Sequence, residues 1–187
     1  MLDMPYTFYI TVFMIWSFFG WVIETISKTI NNNRFMIGGS YRFLPLAPLY
    51  GFGGTLLYFL SSILRNYHWI YMIVVFSISI ITLEFFAGIF CEKILGEKMW
   101  DYSRRKHHIF GHICLRTSIM WVFAVAFYYF VLRYFFMWIE LLFIDKIVIT
   151  KKVDDIISSA FLTLHALIAL DIKLKGKLGI KRTDVEY

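Results

Sequence analysis

The stretch WIYMIVVFSISIITLEFFAGIFCEKI, at residues 69–94, decides the fold, because it is apolar and long enough to cross a bilayer. A helix needs about 20 apolar residues to span a hydrocarbon core roughly 30 Å thick. Glu84 and Glu92 interrupt this stretch, but its apolar composition is continuous rather than alternating. An unpaired strand in lipid would leave its backbone polar groups unsatisfied. The stretch therefore predicts a membrane-spanning helix.

The composition of the whole chain points the same way. Of its 187 residues, 59% are hydrophobic, 20% are aromatic and only 17% are charged. A soluble domain usually carries about a quarter charged residues. This balance excludes a disordered chain, a fibrous repeat and an ordinary cytosolic enzyme. It predicts an all-α, polytopic membrane helix bundle in which residues 1–187 form a single domain.

Apolar segments predict about five transmembrane helices, near residues 6–30, 45–64, 69–94, 113–132 and 156–172. The first is expected to be a retained helix rather than a cleaved signal peptide. Residues 133–149 extend the fourth apolar run, but charged residues break them. We predict an interfacial helix there, on the outer face. A long, tilted fourth helix is the alternative.

The basic residues predict the orientation of the bundle, because cationic loops are retained in the cytoplasm. With five spans and the N-terminus outside, most of the 19 basic residues lie inside, including a basic cytoplasmic tail at residues 173–187. We therefore expect a multi-pass, N-out/C-in protein of the cytoplasmic membrane. The net charge of +6 falls mainly on the inner face. It predicts contact with anionic lipids, and we expect no nucleic-acid partner.

Glu24 and Glu84 lie inside predicted spans, where ionisable side chains usually face the protein interior or a wet cavity. Glu24 lies one helical turn after Gly20, and Glu84 lies one turn before Gly88. A glycine lets a neighbouring chain approach closely. We predict that Glu24 and Glu84 converge on a shared polar chamber open to the cytoplasm. The alternative is structural, with each acid in an interhelical ion pair or hydrogen bond; the partners considered are Lys28, Arg42 and Arg116.

The second apolar segment has an unusual start, RFLPLAPLYGFGG at residues 42–54. Two prolines three residues apart and several glycines disfavour a regular helix through this stretch. A broken or re-entrant helix would free backbone groups that could bind an ion. Alternatively, Pro45 and Pro48 occupy the first turn of a regular helix, where proline is tolerated.

The predicted inner loop, EKMWDYSRRKHHIFGH at residues 97–112, mixes acids, bases, histidines and aromatic residues. On a helix, His108 and His112 would be spaced for metal binding, with Asp101 or Glu92 completing the set. Gly111 weakens a helix there, and contacts with lipid headgroups are the alternative. We expect neither a metal nor a cofactor.

Several motifs occur together in a recognisable order. They are FGWVIE at residues 19–24, RFL at 42–44, APLYGFG at 47–53, LEFFAG at 83–88, WDYS at 100–103 and GHICL at 111–115. Their order and spacing resemble the ABC-transporter type IV, or CmpB-like, permease family of bacterial membrane proteins, over roughly residues 15–125. The sequence departs from the family pattern at Phe43, at Pro45 and near His108.

The resemblance implies a multi-pass inner-membrane protein that takes part in transport. It also implies a set of candidate substrate-binding residues, which carry the family's polar signature: Glu24, Arg42, Tyr50, Glu84, Glu92, Asp101, Tyr102 and Ser103.

Three functions remain open from the sequence. The first is a transport permease, or the membrane subunit of a transporter, with a polar site facing the cytoplasm. The chain has no Gly-x-x-x-x-Gly-Lys-Ser/Thr loop, so ATP-driven transport would need a separate ATPase subunit. Five helices make a small pathway, which also suggests a homo-oligomer. The second is an intramembrane enzyme acting on a lipid or lipid-linked substrate, and the third is a non-catalytic scaffold or sensor.

Overall fold

A computed structural model describes residues 6–38, 44–96 and 98–144, together with residues 156, 158–160, 162–163, 166–167 and 170. In this part of the chain there are five α-helices: α1 (Tyr6–Asn32), α2 (Pro48–Ile63), α3 (Trp69–Lys93), α4 (Leu115–Phe127) and α5 (Arg133–Ile144). A π-helical turn, Tyr128–Leu132, joins α4 to α5. Two short antiparallel strands, β1 (His108–Ile109) and β2 (Ile113–Cys114), form a hairpin before α4. The described residues between 156 and 170 are also helical.

Three helices are long and apolar enough to cross a membrane: Tyr6–Asn32, Trp69–Lys93 and Leu115–Leu141. Only 28%, 28% and 17% of their most apolar windows are buried inside the protein. The remaining apolar surface is far larger than a soluble monomer exposes, and lipid or other chains would cover it. The mostly helical membrane fold is therefore as predicted. The count of five spans and the N-out/C-in orientation stay predictions, and the fifth predicted span lies partly outside the described residues.

The second predicted span corresponds to α2, a regular helix of 16 residues that begins at Pro48. Proline is accommodated at a helix start because the N–H it lacks would have no partner within the helix there. The glycines after Pro48 remain helical. The predicted break is therefore confined to the non-helical residues before Pro48. The alternative of prolines in the first helical turn holds for Pro48, whereas Pro45 lies before the helix.

The interfacial helix predicted at residues 133–149 is not a separate element. Instead, α5 continues from α4 through the π-helical turn, giving an unbroken helix over Leu115–Leu141. Arg133 does not end the helix, and its guanidinium lies against the rings of Tyr129 and Tyr134. The alternative of a long fourth helix fits residues 133–144, and residues 145–149 lie outside the described part.

The chain divides into two compact units. Unit 1 comprises residues 1–55 and 136–183, and unit 2 comprises residues 56–135 and 184–187. The single membrane domain expected from the sequence stays a prediction.

In unit 1, small residues bring α1 against the first turns of α2. Gly20 leaves the space that the Tyr50 ring fills, and Gly54 does the same for Trp16. The backbone N–H of Ala47 donates to the carbonyl of Ser17 at 2.9 Å, so the non-helical chain before α2 is also held on α1. These contacts explain why glycines are placed inside a helix that they otherwise weaken.

In unit 2, α3 packs on α4 and on the hairpin. Met72, Phe76 and Ile80 from α3 are buried, as are Val125 and Tyr128 from the long fourth helix. The Tyr128 hydroxyl shares a 3.1 Å hydrogen bond with the Ser61 hydroxyl of α2. Unit 2 thus has an apolar core at mid-helix and, as described next, a polar cluster at the hairpin end.

Candidate functional site

One face of α3 carries Glu84, Gly88 and Glu92 at intervals of one helical turn. The segment that covers this face, residues 98–114, is called the polar hairpin below. Each of the three positions contacts it: Tyr102 reaches Glu84, and His112 contacts both Gly88 and Glu92. The stripe predicted on α3 is therefore the contact surface of the loop that follows it.

Glu84 is buried, with 3% of its surface exposed. The Tyr102 hydroxyl donates to Oε1 at 3.2 Å, and the Trp121 indole N–H, from α4, donates to Oε2 at 2.9 Å. Both donors are neutral. Among the residues that the structure describes, no Lys, Arg or His lies within ion-pair distance of Glu84. The carboxylate is thus hydrogen-bonded at both oxygens but has no counter-charge in that part of the chain.

His112 fastens the polar hairpin to α3. Its ring lies over Gly88 so closely that a Cβ added there would be 2.8 Å from Nδ1. Its Nε2 lies 3.2 Å from Oε2 of Glu92, and its carbonyl accepts a 2.8 Å hydrogen bond from the Trp100 indole. With only 5% of its surface exposed, His112 is a packed residue of this junction.

Lys98 adds two longer ion pairs at the rim of the same junction. Its Nζ lies 3.4 Å from Glu92 and 3.8 Å from Asp101. All three side chains are between 38% and 45% exposed. Exposed pairs of this kind contribute about 0–1 kcal/mol each. Lys98 therefore adds little to the stability of the junction compared with the buried contacts of His112.

Asp101 shapes the loop of the polar hairpin. Its Oδ1 accepts hydrogen bonds from the Ser103 hydroxyl at 2.6 Å and from the Ser103 backbone N–H at 2.9 Å. These two bonds, in that order, lower the pKa of the Asp101 carboxyl below its ordinary value. Gly111, at φ +77°, passes close by, and a Cβ there would lie 2.7 Å from the same oxygen. Asp101 and Ser103 thus hold a turn against Gly111.

The histidines do not form the helical pair considered for a metal. His108 is in β1, where it pairs with Cys114, and its Nδ1 accepts from the Gly111 N–H at 3.2 Å. His112 lies across the turn and is directed to Glu92. Within the described ranges, no group of three His, Cys, Asp or Glu side chains could hold a metal ion.

The predicted site residues of unit 1 have a different environment. Glu24 lies 3.4 Å from Nζ of Lys28, one turn further along α1, and Lys28 is only 2% exposed. Tyr50 packs on Gly20, and Arg42 lies outside the described residues. Of the partners considered for a structural role, Glu24 is thus paired with Lys28, but the pair lies within α1 and not between helices as the alternative had it. Its convergence with Glu84 stays a prediction, since the two belong to different units.

Of the eight candidates, the structure brings together Glu84, Glu92, Asp101, Tyr102 and Ser103, all in or against the polar hairpin. It adds two residues that were not predicted as members of this cluster, Trp121 and His112. Trp121 lies in an apolar helix that carries other aromatic residues, so nothing in the sequence marks its indole as a polar partner. His112 was considered only as a metal ligand.

Comparison with family models accounts for this arrangement of motifs. Residues 11–173 match the model of the family described as "Putative ABC-transporter type IV". The chain belongs to this family. No curated protein and no solved structure matches the chain. Membership confirms the predicted resemblance and supports a transport-related role in the membrane.

In this type IV family member, the motifs that carried the resemblance fall into two groups. Those around residues 83–88, 100–103 and 111–115 meet in unit 2 at the polar hairpin. Those around residues 19–24 and 47–53 meet in unit 1 where α1 packs on α2. The family motifs therefore mark two packed junctions, of which only the first contains a buried carboxylate without a described counter-charge.

Proposed function

We propose that the chain is the membrane subunit, or permease, of an ATP-driven transporter, with a polar site on the cytoplasmic side around Glu84. The observation that carries the proposal is the environment of this carboxylate. It lies inside a helix fit to span the membrane and is bonded by the neutral donors Tyr102 and Trp121. Family membership supports the transport role.

The chemistry of this environment favours a positively charged or hydrogen-bond-donating occupant. An ionised group in a low-dielectric interior is costly unless it is paired. Two neutral hydrogen bonds satisfy the oxygens of Glu84, and no cation among the described residues compensates its negative charge. A proton or a cationic group of a substrate would neutralise this charge, whereas an anionic substrate would be repelled.

The polar hairpin supplies a way to control access to Glu84. Tyr102 is part of the hairpin, and His112 and Trp100 fix the same segment to α3. Displacing the hairpin would remove one hydrogen bond from Glu84 and open its carboxylate toward the aqueous phase. A separate ATPase subunit could displace the polar hairpin when it hydrolyses ATP, and this displacement would couple hydrolysis to access at Glu84.

The separate ATPase subunit can be tested by co-purification. The full chain, tagged and expressed from its own locus, is extracted from native membranes in mild detergent, and co-purifying proteins are identified by mass spectrometry. We expect one nucleotide-hydrolysing protein to be enriched over a tagged, unrelated multi-pass protein from the same membranes. A folded chain that purifies without any such partner, at all detergents tried, contradicts an ABC-type role.

The role of Glu84 is tested in the purified complex by Glu84→Gln, with Thr82→Val as the matched control. Glu84→Gln removes the carboxylate charge at similar side-chain size, and Thr82→Val removes a hydroxyl from the same helix at a position exposed on its surface. We expect Glu84→Gln to change the ATP-hydrolysis rate at least about tenfold, which is about 1.4 kcal/mol in the barrier, while Thr82→Val stays near wild type. A folded Glu84→Gln complex with the wild-type rate and the wild-type substrate response would favour the scaffold alternative.

A further inference from the structure

We propose that Arg133 and the two tyrosines that flank its guanidinium bind a phosphate-class anion, at the membrane face opposite the polar hairpin. This trio, Tyr129, Arg133 and Tyr134, is called the arginine clamp below. The guanidinium carbon lies 4.5 Å from the centroid of the Tyr129 ring and 5.5 Å from that of Tyr134. Neither the family description nor the proposed site at Glu84 involves it.

In the part of the chain that the structure describes, the guanidinium has no counter-charge. Its Nε is buried without a hydrogen-bond partner. Among the described residues, no carboxylate lies within ion-pair distance, and the two tyrosine rings are the partners of this group. The rings contact the face of the guanidinium, and because Nε is buried, the two terminal nitrogens form the edge that is left for a ligand. That planar edge matches the oxygens of a phosphate, which it can bind through two hydrogen bonds.

The position along the helix places the clamp at headgroup depth. Arg133 follows Leu115 by 18 positions in the sequence, which at 1.5 Å per residue is about 27 Å. The hydrocarbon core is roughly 30 Å thick. Since the polar hairpin directly precedes Leu115, Arg133 reaches the opposite face, where lipid phosphates lie. The guanidinium of Arg133, held between two tyrosine rings, therefore lies at the depth of the lipid phosphates.

The π-helical turn immediately before Arg133 is an independent sign of function. Turns of this kind are rare and are frequent at functional sites. Tyr128 begins this one, is buried, and bonds to Ser61 through its hydroxyl. The wider turn changes the face on which the following side chains project, and its anchor on α2 holds that change in place. The clamp is therefore built on a fixed scaffold rather than on a loose helix end.

Binding is tested on the full chain in a neutral detergent to which phosphatidylglycerol is added, with retained lipid counted by native mass spectrometry. The variants are Arg133→Gln and Arg133→Lys. The matched control is Arg65→Gln, because Arg65 is exposed in the loop that joins α2 to α3, at the same membrane face as the clamp. A parallel arm uses lipid-free protein and inorganic phosphate, with the unfolding temperature as the readout.

We expect wild type and Arg65→Gln to retain about ten times more lipid than Arg133→Gln, a ratio that corresponds to about 1.4 kcal/mol. Arg133→Lys should fall between them, because it keeps the charge and loses the planar edge. Stabilisation by inorganic phosphate that depends on Arg133, without a lipid effect, would identify a free anion as the ligand of the same clamp.

Equal loss of lipid in Arg133→Gln and Arg65→Gln would overturn the proposal, since it would show general surface charge. No effect of Arg133→Gln in either arm would overturn it as well. If Arg133→Gln does not fold, as judged by circular dichroism, Arg133→Lys against Arg65→Lys decides the question in the same way. The outcome is independent of whether an ATPase subunit exists or Glu84 is a transport site.

Discussion

Replacing Gly88 by alanine is the sharpest test of how the polar hairpin is attached to α3. The added Cβ would lie 2.8 Å from Nδ1 of His112 and 3.0 Å from its Cβ and Cγ. These are closer approaches than packed atoms tolerate, and His112 is held by Glu92 and by the Trp100 indole. The ring must therefore move by several tenths of an ångström, which strains or lengthens those contacts.

The magnitude follows from two opposing effects. Alanine in place of a mid-helix glycine stabilises a helix by about 0.5–1 kcal/mol when nothing obstructs it. Overpacking a tight contact costs about 1–3 kcal/mol. The two together predict a net loss of roughly 1 kcal/mol for Gly88→Ala. At about 2–4 °C per kcal/mol for a chain of this size, the unfolding temperature should fall by a few degrees.

The assay is thermal unfolding of the full chain in detergent, in two backgrounds. In wild type, Gly88→Ala should lower the unfolding temperature. The His112→Gly background removes all three obstructing atoms, so there the same change should raise it through the helix effect alone. This reversal of sign is specific to the Gly88–His112 contact. An equal loss in both backgrounds, or no loss in wild type, would refute the packing described for the hairpin.

Two further predictions concern the loop and unit 1. The pKa of Asp101 is lowered by the Ser103 hydrogen bonds, so the stabilisation it provides is present above the ordinary value of 3.8 and is lost as the pH falls through the lowered value. In wild type the order of the polar hairpin, read by Trp100 fluorescence, should therefore be lost in acid. In Asp101→Asn the hairpin should be less ordered at neutral pH, and its order should not change across the same pH range. Identical pH profiles of the two proteins would contradict this. Gly20→Ala should destabilise the chain by about 1–3 kcal/mol in thermal unfolding, because a Cβ there overlaps the Tyr50 ring. If the variant unfolds at the same temperature as wild type, the contact between Gly20 and Tyr50 is not tight.

The sequence was sufficient for the features that depend on composition and helical period. The long apolar runs predicted the three helices that are long and apolar enough to cross a membrane, and the spacing of four predicted that Glu84, Gly88 and Glu92 share a face. The close contacts at Gly20 and Gly88 were also predictable, because a neighbouring group must fill the space that a glycine leaves without a side chain. In both units the neighbour is a ring, from Tyr50 or from His112.

Other features depend on contacts that no local pattern encodes. The polar hairpin needs left-handed backbone at His107 and Phe110 as well as at Gly111. Of these three residues, only the glycine predicts a left-handed conformation from the sequence, since residues with a side chain adopt it rarely. The bond from Trp121 to Glu84 joins residues 37 positions apart. It depends on how α4 packs on α3, and an indole in an apolar helix is as readily a packing residue as a donor.

Buried Glu84 and partly exposed Glu24 show why the sequence pattern alone could not separate structure from function. Both are preceded or followed by glycine at one turn, and both lie in apolar helices. On α1 the residue one turn after Glu24 is Lys28, and a glutamate followed by a lysine at this spacing forms a favourable pair within one helix. On α3 the corresponding residue is Gly88, which supplies no charge and admits His112, and His112 is directed to Glu92 instead. Among the described residues Glu84 therefore has only neutral donors. The residue one turn further along thus accounts for the difference between a carboxylate paired within its own helix and one that is hydrogen-bonded without an ion pair.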